Sequence, residues 1–595
     1  MKKLKIRYVI PGVIMAVTVL YACNKDFLNK PPLGSLSQDV LTNQTGVEGL
    51  LIGAYHSLGG EANWGSAPSN WSFGSMAADE AYKGSTPSDQ SAEGLLAIAI
   101  WSVPANDGYL NQKWVGNYAG IQRANEVLRV MPLATDISAD DQKRIAGEAR
   151  FLRGHFHFDL KKIFNNVPFV DENITVANGN TNVPNIDESG NFIDIYPQIE
   201  ADFQFAIDNL PETQAQVGRA NKWAAKCYLA KVYMYEHKYT EAKQLFDDII
   251  PNGKTTGGAK YELINFYSNF NPAQDNNAES IFAYQASVND GSGTNGNYGD
   301  NLNYPNGLGF GCCGFFNPSI SQANAYKTDA NGLPIFTNNA FNSGNNVSDP
   351  DAPYTGTLDP RVDLTMGRDG IPFLDWGVPA FGDWIRDPSS NGYFRGRKNV
   401  YAKSQQGTLS STETSFWGPT QMDAGNVNLI RFADVILMAA EAEIEVGSAD
   451  KALEYVNRIR SRAAKPEGWV YKNSNYDAAT AMYAKNATPG DTYKIGLYPA
   501  GSFANKDYAR QAIQFERRLE LAEEGHRFFD LRRWDNGGSM AATLNAYKAA
   551  EVGRPSIYKV NTEASFDAGD EWYPLPQAQI DAANSTGTEV LKQNP

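Results

Sequence analysis

Apolar positions along the chain fall at helical spacing in several stretches and lose that spacing in between. Residues 47–58 repeat their apolar side chains every three or four positions, the stripe that an amphipathic helix buries. Trp114, Tyr118, Ile121, Ala124 and Leu128 do the same, as do Ile145, Ala149, Leu152 and Phe156. Asp140 and Asp141 precede the latter run, putting negative charge at the positive end of a helix dipole. Asn165-Asn166-Val167-Pro168 ends it, because proline cannot continue a helix. Helical spacing returns over 223–250 and 437–460. Between about 255 and 425 it fades, and Gly, Asn, Asp, Pro and aromatic residues dominate, as in 289–304 and 370–397. A Gly/Ser/Asn/Trp-rich stretch also leads up to Gly108. Irregular stretches of that length are either functional or disordered, and so many Trp, Tyr and Phe predict packed loops.

The pattern predicts a mainly α protein. The clearest repeat is Leu229, Ala230, Tyr233, Ala242 and Phe246, the spacing of a tetratricopeptide-like helical hairpin. Its small residues allow close helix approach and its large ones fill the groove between the helices. Ala439, Ala440, Ala452 and Val456 echo it around Gly447, with Glu443 where the first hairpin has Tyr233. The expected architecture is one domain over 37–595. It has a helical hairpin scaffold over about 40–250 and 425–540, and a loop-rich, irregular binding face over about 255–425, joined by the loops of 60–108.

The N-terminus has a different pattern. A basic stretch from Met1 to Arg7 precedes an apolar run of about 13 residues, short for a bilayer span and suited to a signal peptide. Leu20-Tyr21-Ala22-Cys23 closes it and resembles a bacterial lipobox, so residues 1–22 are read as a lipoprotein signal peptide and Cys23 as the lipidated residue. Residues 23–36, with Pro31 and Pro32, read as a tether. No second stretch of 18 or more apolar residues follows. The formal charge is −15, and removing 1–22 takes away Lys2, Lys3, Lys5 and Arg7 and leaves −19. An acidic body of this kind argues against nucleic acid and against electrostatic attachment to an anionic membrane.

Candidate chemistry is sparse. Cys227 sits in an apolar helical pattern and reads as core. Gly311-Cys312-Cys313-Gly314 admits two readings, a vicinal disulfide in an oxidising exported setting or two free thiols. No Cys/His spacing matches a zinc site. Asp329-x-Asn331-Gly332 is a fragment of a calcium-loop pattern without the remaining ligands, and neither a metal nor a cofactor is expected. No Gly-x-Ser-x-Gly elbow, His-Glu-x-x-His helix or phosphate loop occurs. The acids and arginines of 516–534 follow the helix dipole, Glu523 with Arg527 reads as an i, i+4 pair and Gly525 loosens the helix near its end, so this block is assigned to structure. What stands out instead is 70 aromatic residues with abundant Gly and Asn. Aromatic faces stack on the C–H faces of sugars while amides bond their hydroxyls. The loop-borne candidates for glycan stacking are Trp64, Trp71, Tyr82, Trp101, Tyr298 and Tyr304, with Trp376 and Trp384 as further ones. Asn63, Asn70 and Asn301 are candidate hydroxyl contacts.

Several motifs in order along the chain resemble the SusD/RagB family. They begin with Cys23 and Asp26-Phe27-Leu28, then Trp114-x3-Tyr118-x2-Ile121-x3-Asn125, and the Arg- and aromatic-rich run from Gly147 to Leu160 with Pro168 after it. Asp359-Pro360-Arg361, Arg431-Phe432-Ala433-Asp434, the block from Glu516 to Trp534, Tyr573-Pro574-Leu575-Pro576 and the closing Gln593-Asn594-Pro595 continue the series. The resemblance implies a helical fold with four tetratricopeptide-like hairpins beneath a loop-rich face. It also implies an outer-membrane, lipid-anchored location facing the cell exterior, and a SusC-like TonB-dependent transporter as partner. The implied role is non-catalytic capture of oligo- or polysaccharide. The alternative is peptide capture on the same fold, and a more distant one is glycoside hydrolysis. Exposed aromatics along an elongated cleft favour glycan, a closed cavity poor in aromatics favours peptide, and a convergent carboxylate pair with shifted pKa values favours the hydrolase.

Overall fold

The computed structural model describes residues 38–595 apart from 62, 87–88, 90–93, 293–294, 308–309, 414–420, 553 and 555–564. The signal peptide, Cys23 and the tether lie outside the described residues. The molecule is mainly helical. Its scaffold comprises α1 (Gln44–His56), α2 (Gly108–Val130), α3 (Ala139–Phe164), α4 (Tyr196–Asn209), α5 (Lys222–Tyr235) and α6 (Tyr239–Asn252). It resumes with α7 (Phe432–Val446), α8 (Ala449–Ala463), α9 (Lys506–Glu520), α10 (Arg527–Arg533) and α11 (Ser539–Glu551). Side-chain caps fix most starts: Asn43, Asp107, Ser138, Asn221, Ser448 and Asn505 each accept a backbone N–H of the first turn, satisfying donors the helix leaves free. Consecutive helices pack side by side from α2 to α6, and α7 then packs on α6 and on α8.

Both predicted hairpins form, α5 with α6 and α7 with α8. Ala224, Ala225, Ala230, Ala439, Ala440 and Ala452 are almost completely buried where helices approach. Glu443, the departure from the repeat, caps the second hairpin by accepting the N–H of Ser448 at 2.8 Å, and it pairs with Lys243 of α6 at 3.0 Å. Lys231 of α5 meets Asp434 of α7 at 2.8 Å. The two hairpins, some 200 residues apart in sequence, are therefore tied by charge pairs in addition to apolar packing.

Strand is scarce among the described residues, and all four sheets are two-stranded and antiparallel. One of them sets the topology. β2 (Ser280–Tyr284) pairs with β6 (Val427–Arg431), joining Ser280 to Arg431 and Tyr284 to Val427. The chain thus leaves the helical stack and returns to it at the same place, and the loop-rich excursion lies between. β1 (Ala81–Gly84) pairs with β3 (Phe315–Pro318), and β4 (Met366–Gly367) with β5 (Arg395–Gly396). The excursion carries its own aromatic core around Tyr304, Phe310, Phe373, Trp376 and Tyr401, which is why it packs without regular elements.

The motif charges weld the two parts. Arg361 contacts Asp359, Glu516 and Glu520, while Arg431 contacts Glu279, Glu520 and Glu524. Arg460 and Arg462 of α8 complete the network through Glu516 and Glu520. The 516–534 block is two helices and a turn where the sequence predicts one helix, loosened near its end at Gly525. α9 ends at Glu520 and α10 begins at Arg527, with Glu523 at φ 65° and Gly525 at φ 74° between them. Arg527 turns to Asp79 at 2.8 Å instead of Glu523. Close packing requires glycine in the turn: a Cβ on Gly525 would lie 1.9 Å from the Ser69 carbonyl oxygen.

Candidate functional site

The structure divides the eight sequence-derived aromatics. Tyr82 and Tyr304 belong to the core, correcting the expectation that they face ligand. Their hydroxyls go to Glu551 and Asp423, and neither ring is more than 1 % exposed. Trp376 is buried with its indole N–H on the Tyr401 carbonyl at 2.8 Å, and Trp71 is buried with its own on the Gly299 carbonyl at 3.1 Å. A long loop has to build a core from what it carries, and a tryptophan can be buried once its N–H finds a carbonyl. Trp64, Trp101, Tyr298 and Trp384 are half-buried. Trp64 donates to Asn301 at 2.9 Å, and Trp101 donates to the Ala77 carbonyl at 2.8 Å. Asn301 and Asn70 are themselves buried, Asn70 on Asp159, and Asn63 is half-buried. Asp329 spends its carboxylate on the N–H groups of Asn331 and Leu333, closing its own turn. Among the described residues no group of three or more His, Cys, Asp or Glu could hold a metal ion.

One loop carries exposed apolar side chains on the loop-rich half. In residues 377–386, Val378 is 57 % and Phe381 52 % exposed, and Trp384 is half-buried beside them. The loop is held from beneath. The Arg395 guanidinium, fully buried, donates to the carbonyls of Asp383 at 2.6 Å and Ala380 at 3.1 Å, and pairs with Asp369 at 2.9 Å. Phe373 and Gly370 donate to the Gly377 and Pro379 carbonyls, closing the base. The Phe381 ring lies 4.9 Å from Tyr393, and Trp384 lies 5.8 Å from Phe373. Trp384 keeps φ at 61°, a conformation that costs about 1–3 kcal/mol in a non-glycine residue and that recurs at ligand sites. Sequence reasoning missed Phe381. The available signal was Gly377 and Gly382, which bracket it and leave a ring at a turn little to pack against.

Polar groups border this platform. Asn306 donates its N–H to the Trp384 carbonyl at 2.9 Å. Arg386 pairs with Asp89 at 2.6 Å and donates to Ser85 at 2.8 Å, with both charged side chains about one-third exposed. The neighbouring Cys312 and Cys313 are joined by a disulfide, which decides between the two readings left by the sequence, and Cys227 is free and buried. Flat apolar faces beside neutral and charged hydrogen-bonding groups match the two sides of a sugar ring.

A cleft among the loops is lined by Trp71, Phe316, Asn303, Asn399, Asp300 and Asp423. Burial pushes Asp300 up to about 7 and Asp423 up to about 6. Each is already engaged: Asp300 takes the Ser69 hydroxyl at 2.5 Å, and Asp423 takes the Tyr304 hydroxyl and the Gly425 N–H. With both no more than 4 % exposed, they serve as internal acceptors.

Comparison with known proteins agrees with this architecture. The SusD family description matches residues 278–595, and one for starch-binding proteins associating with the outer membrane matches 26–234. A SusD-like protein of Formosa agariphila, P2, is 24 % identical over 98 % of this chain and 97 % of its own. A SusD-like protein of Bacteroides ovatus is 25 % identical over 76 % of this chain and 75 % of its own. Among solved structures, a SusD superfamily protein of Bacteroides vulgatus aligns at a TM-score of 0.62 with 21 % identity, covering 93 % of this chain and 99 % of that one. A surface glycan-binding protein A of Bacteroides thetaiotaomicron, solved with laminarihexaose, aligns at 0.59 with 18 % identity, covering 93 % and 100 %. With the SusD description covering more than half of its residues, the chain belongs to the SusD family.

Proposed function

We infer that this protein is a non-catalytic, lipid-anchored glycan-binding protein of the outer membrane. It is held through Cys23, faces the cell exterior, and delivers captured oligo- or polysaccharide to a SusC-like TonB-dependent transporter. The observation that carries the reading is the 377–386 platform, held from beneath by Arg395, which exposes Phe381 and leaves Trp384 half-buried two residues before the Arg386–Asp89 pair. A polymer needs an open face, and an immobilised one costs little ordering entropy on binding. The laminarihexaose complex of a structural neighbour, the outer-membrane association named for the matching family, and the lack of any membrane-crossing helix among the described residues support it. Most motif acids and arginines pair with one another inside the protein, which favours binding over catalysis.

The test is affinity electrophoresis of the soluble chain from residue 24 onward against a panel of native neutral and acidic polysaccharides. Retardation by at least one glycan is expected, weakened about tenfold or more by Phe381→Ala or Trp384→Ala, since an aromatic stacking contact is worth roughly 1.4 kcal/mol. Retardation by none would overturn the glycan reading. Cys23→Ser in cells should move the protein out of the membrane fraction, and the wild type should co-purify with a transporter from that fraction.

A further inference from the structure

The Gly311-Cys312-Cys313-Gly314 segment is tied to the border of the platform through Asn306, which bonds the Gly311 carbonyl and the Trp384 carbonyl. Cys313 is buried in the core, while Cys312 is half-buried, packed against that core on one side and open to solvent on the other. Their disulfide closes a small ring from two neighbouring residues and leaves neither side chain free to turn. The surroundings fix its orientation. The Asn306 side-chain amide donates to the Gly311 carbonyl at 3.2 Å, Gly314 donates to the Tyr304 carbonyl at 3.0 Å, and Gln421 donates to the Cys312 carbonyl. Gly314, at φ 70°, is wedged where a Cβ would lie 3.2 Å from Asn306 and 3.3 Å from Arg386. Asn306 also bonds the Trp384 backbone, and Arg386 carries the Asp89 pair. The disulfide is thus bracketed by the two residues that join it to the platform.

The chemistry of that ring differs from its surroundings. A disulfide is uncharged and polarizable and has no hydrogen to donate, so toward a ligand it behaves as a flat apolar face. A pyranose presents C–H faces of comparable extent and places its hydroxyls at the edge, within reach of groups such as Arg386, Asp89 and Asn306. Two reduced thiols present no such face: they rotate independently and offer S–H donors. Exported proteins keep disulfides oxidised and more reducing surroundings do not, so a contact made by the bond itself is present only in the oxidised protein.

We propose that the Cys312–Cys313 disulfide is itself a sugar-contacting face beside Trp384, so that glycan capture requires the oxidised protein. This deepens the glycan-binding reading and rests on it. The test uses the soluble oxidised chain and whichever polysaccharide of the panel retards it, before and after treatment with a phosphine reductant that is then removed. Alkylation and mass measurement follow the state of the pair, and buried Cys227 serves as internal reference. The expected result is at least tenfold weaker binding after reduction, recovered on reoxidation, with the same loss in the Cys312→Ser/Cys313→Ser double variant. Saturating glycan should also slow reduction severalfold, which a bond that merely supports the loop from behind would not show. Equal affinity before and after reduction, while Trp384→Ala still weakens binding, would overturn the proposal and leave the glycan reading standing. So would loss of affinity without protection by glycan, which marks a supporting bond. Failure of the oxidised protein to bind any glycan would overturn both. If the double variant does not fold, the reversible reduction of the wild type decides alone.

Discussion

Arg395 is the residue on which the platform rests, and replacing it tests whether rigidity matters for capture. Its guanidinium holds the Ala380 and Asp383 carbonyls at 3.1 and 2.6 Å, and a third bond to the Tyr393 carbonyl at 3.1 Å fixes the guanidinium itself. Hydrogen bonds from a charged donor contribute roughly 1.5–3 kcal/mol each, so the two platform bonds together hold about 3–6 kcal/mol. In Arg395→Met those carbonyls lose the donor, but Ala380 and Asp383 are exposed, and water restores part of the loss. A net of about 2 kcal/mol remains, near a thirtyfold shift toward a detached loop. Because the loop can open without the core, the change is local. Amide exchange over 377–386 should rise about thirtyfold while the urea midpoint moves little. Glycan affinity should fall as well, by less than the thirtyfold rise in opening, because it follows the fraction of protein with a formed platform. Arg395→Lys keeps the charge near Asp369 but loses the fork that reaches two carbonyls, and should lie between. Exchange rates and affinity both within twofold of wild type would refute the idea that Arg395 organises a binding face.

Three further substitutions probe the frame behind the platform. Glu520→Ala strips one carboxylate from three guanidiniums, with Arg361 at 3.0 Å, Arg431 at 2.8 Å and Arg462 closer still, and should cost about 3–5 kcal/mol in urea unfolding; a loss below about 1 kcal/mol would show the network to be dispensable. Asp300 is pushed up to about 7 by burial, against the hydroxyl of Ser69 and with the help of the Asp423 charge. The folded protein therefore holds this proton to higher pH than the unfolded chain. Its contribution is fully present below about pH 4 and is lost as pH rises to about 7, at up to roughly 1.4 kcal/mol per unit. Asp300→Asn has no such proton to lose, so its stability relative to wild type should climb between pH 4 and 7 and level off above. A pH-independent difference would refute the assignment. Gly525→Ala combines a left-handed φ of 74° with a Cβ only 1.9 Å from the Ser69 carbonyl oxygen. It should destabilise by about 3 kcal/mol from strain and overpacking together, and wild-type stability would mean that the 521–526 turn yields easily.

The helical frame was legible in the sequence because burial of a helix stripe repeats with a period that no other element shares. The hairpin at 223–250 and its echo at 437–460 were found from small and large residues at matched positions. The break between α9 and α10 was hidden. Residues 516–534 carry helix-favouring charges throughout, and only Gly525 hinted at a turn whose cause, the backbone of Ser69 pressing from a distant loop, is not local. The same limit governs the aromatics. Gly- and Asn-rich surroundings show that a ring lies in a loop, but whether the loop lies over or under another loop depends on contacts hundreds of residues away. Tyr82 ends on Glu551 and Trp64 on Asn301. Phe381 escaped notice for the converse reason, since phenylalanine is ordinarily core. What holds it at the surface is the buried Arg395, which donates to the Ala380 and Asp383 carbonyls on either side of it while pairing with Asp369. The motif charges lock the fold from within, while Arg395 holds a loop whose Val378 and Phe381 side chains are exposed, as a ligand-binding face requires.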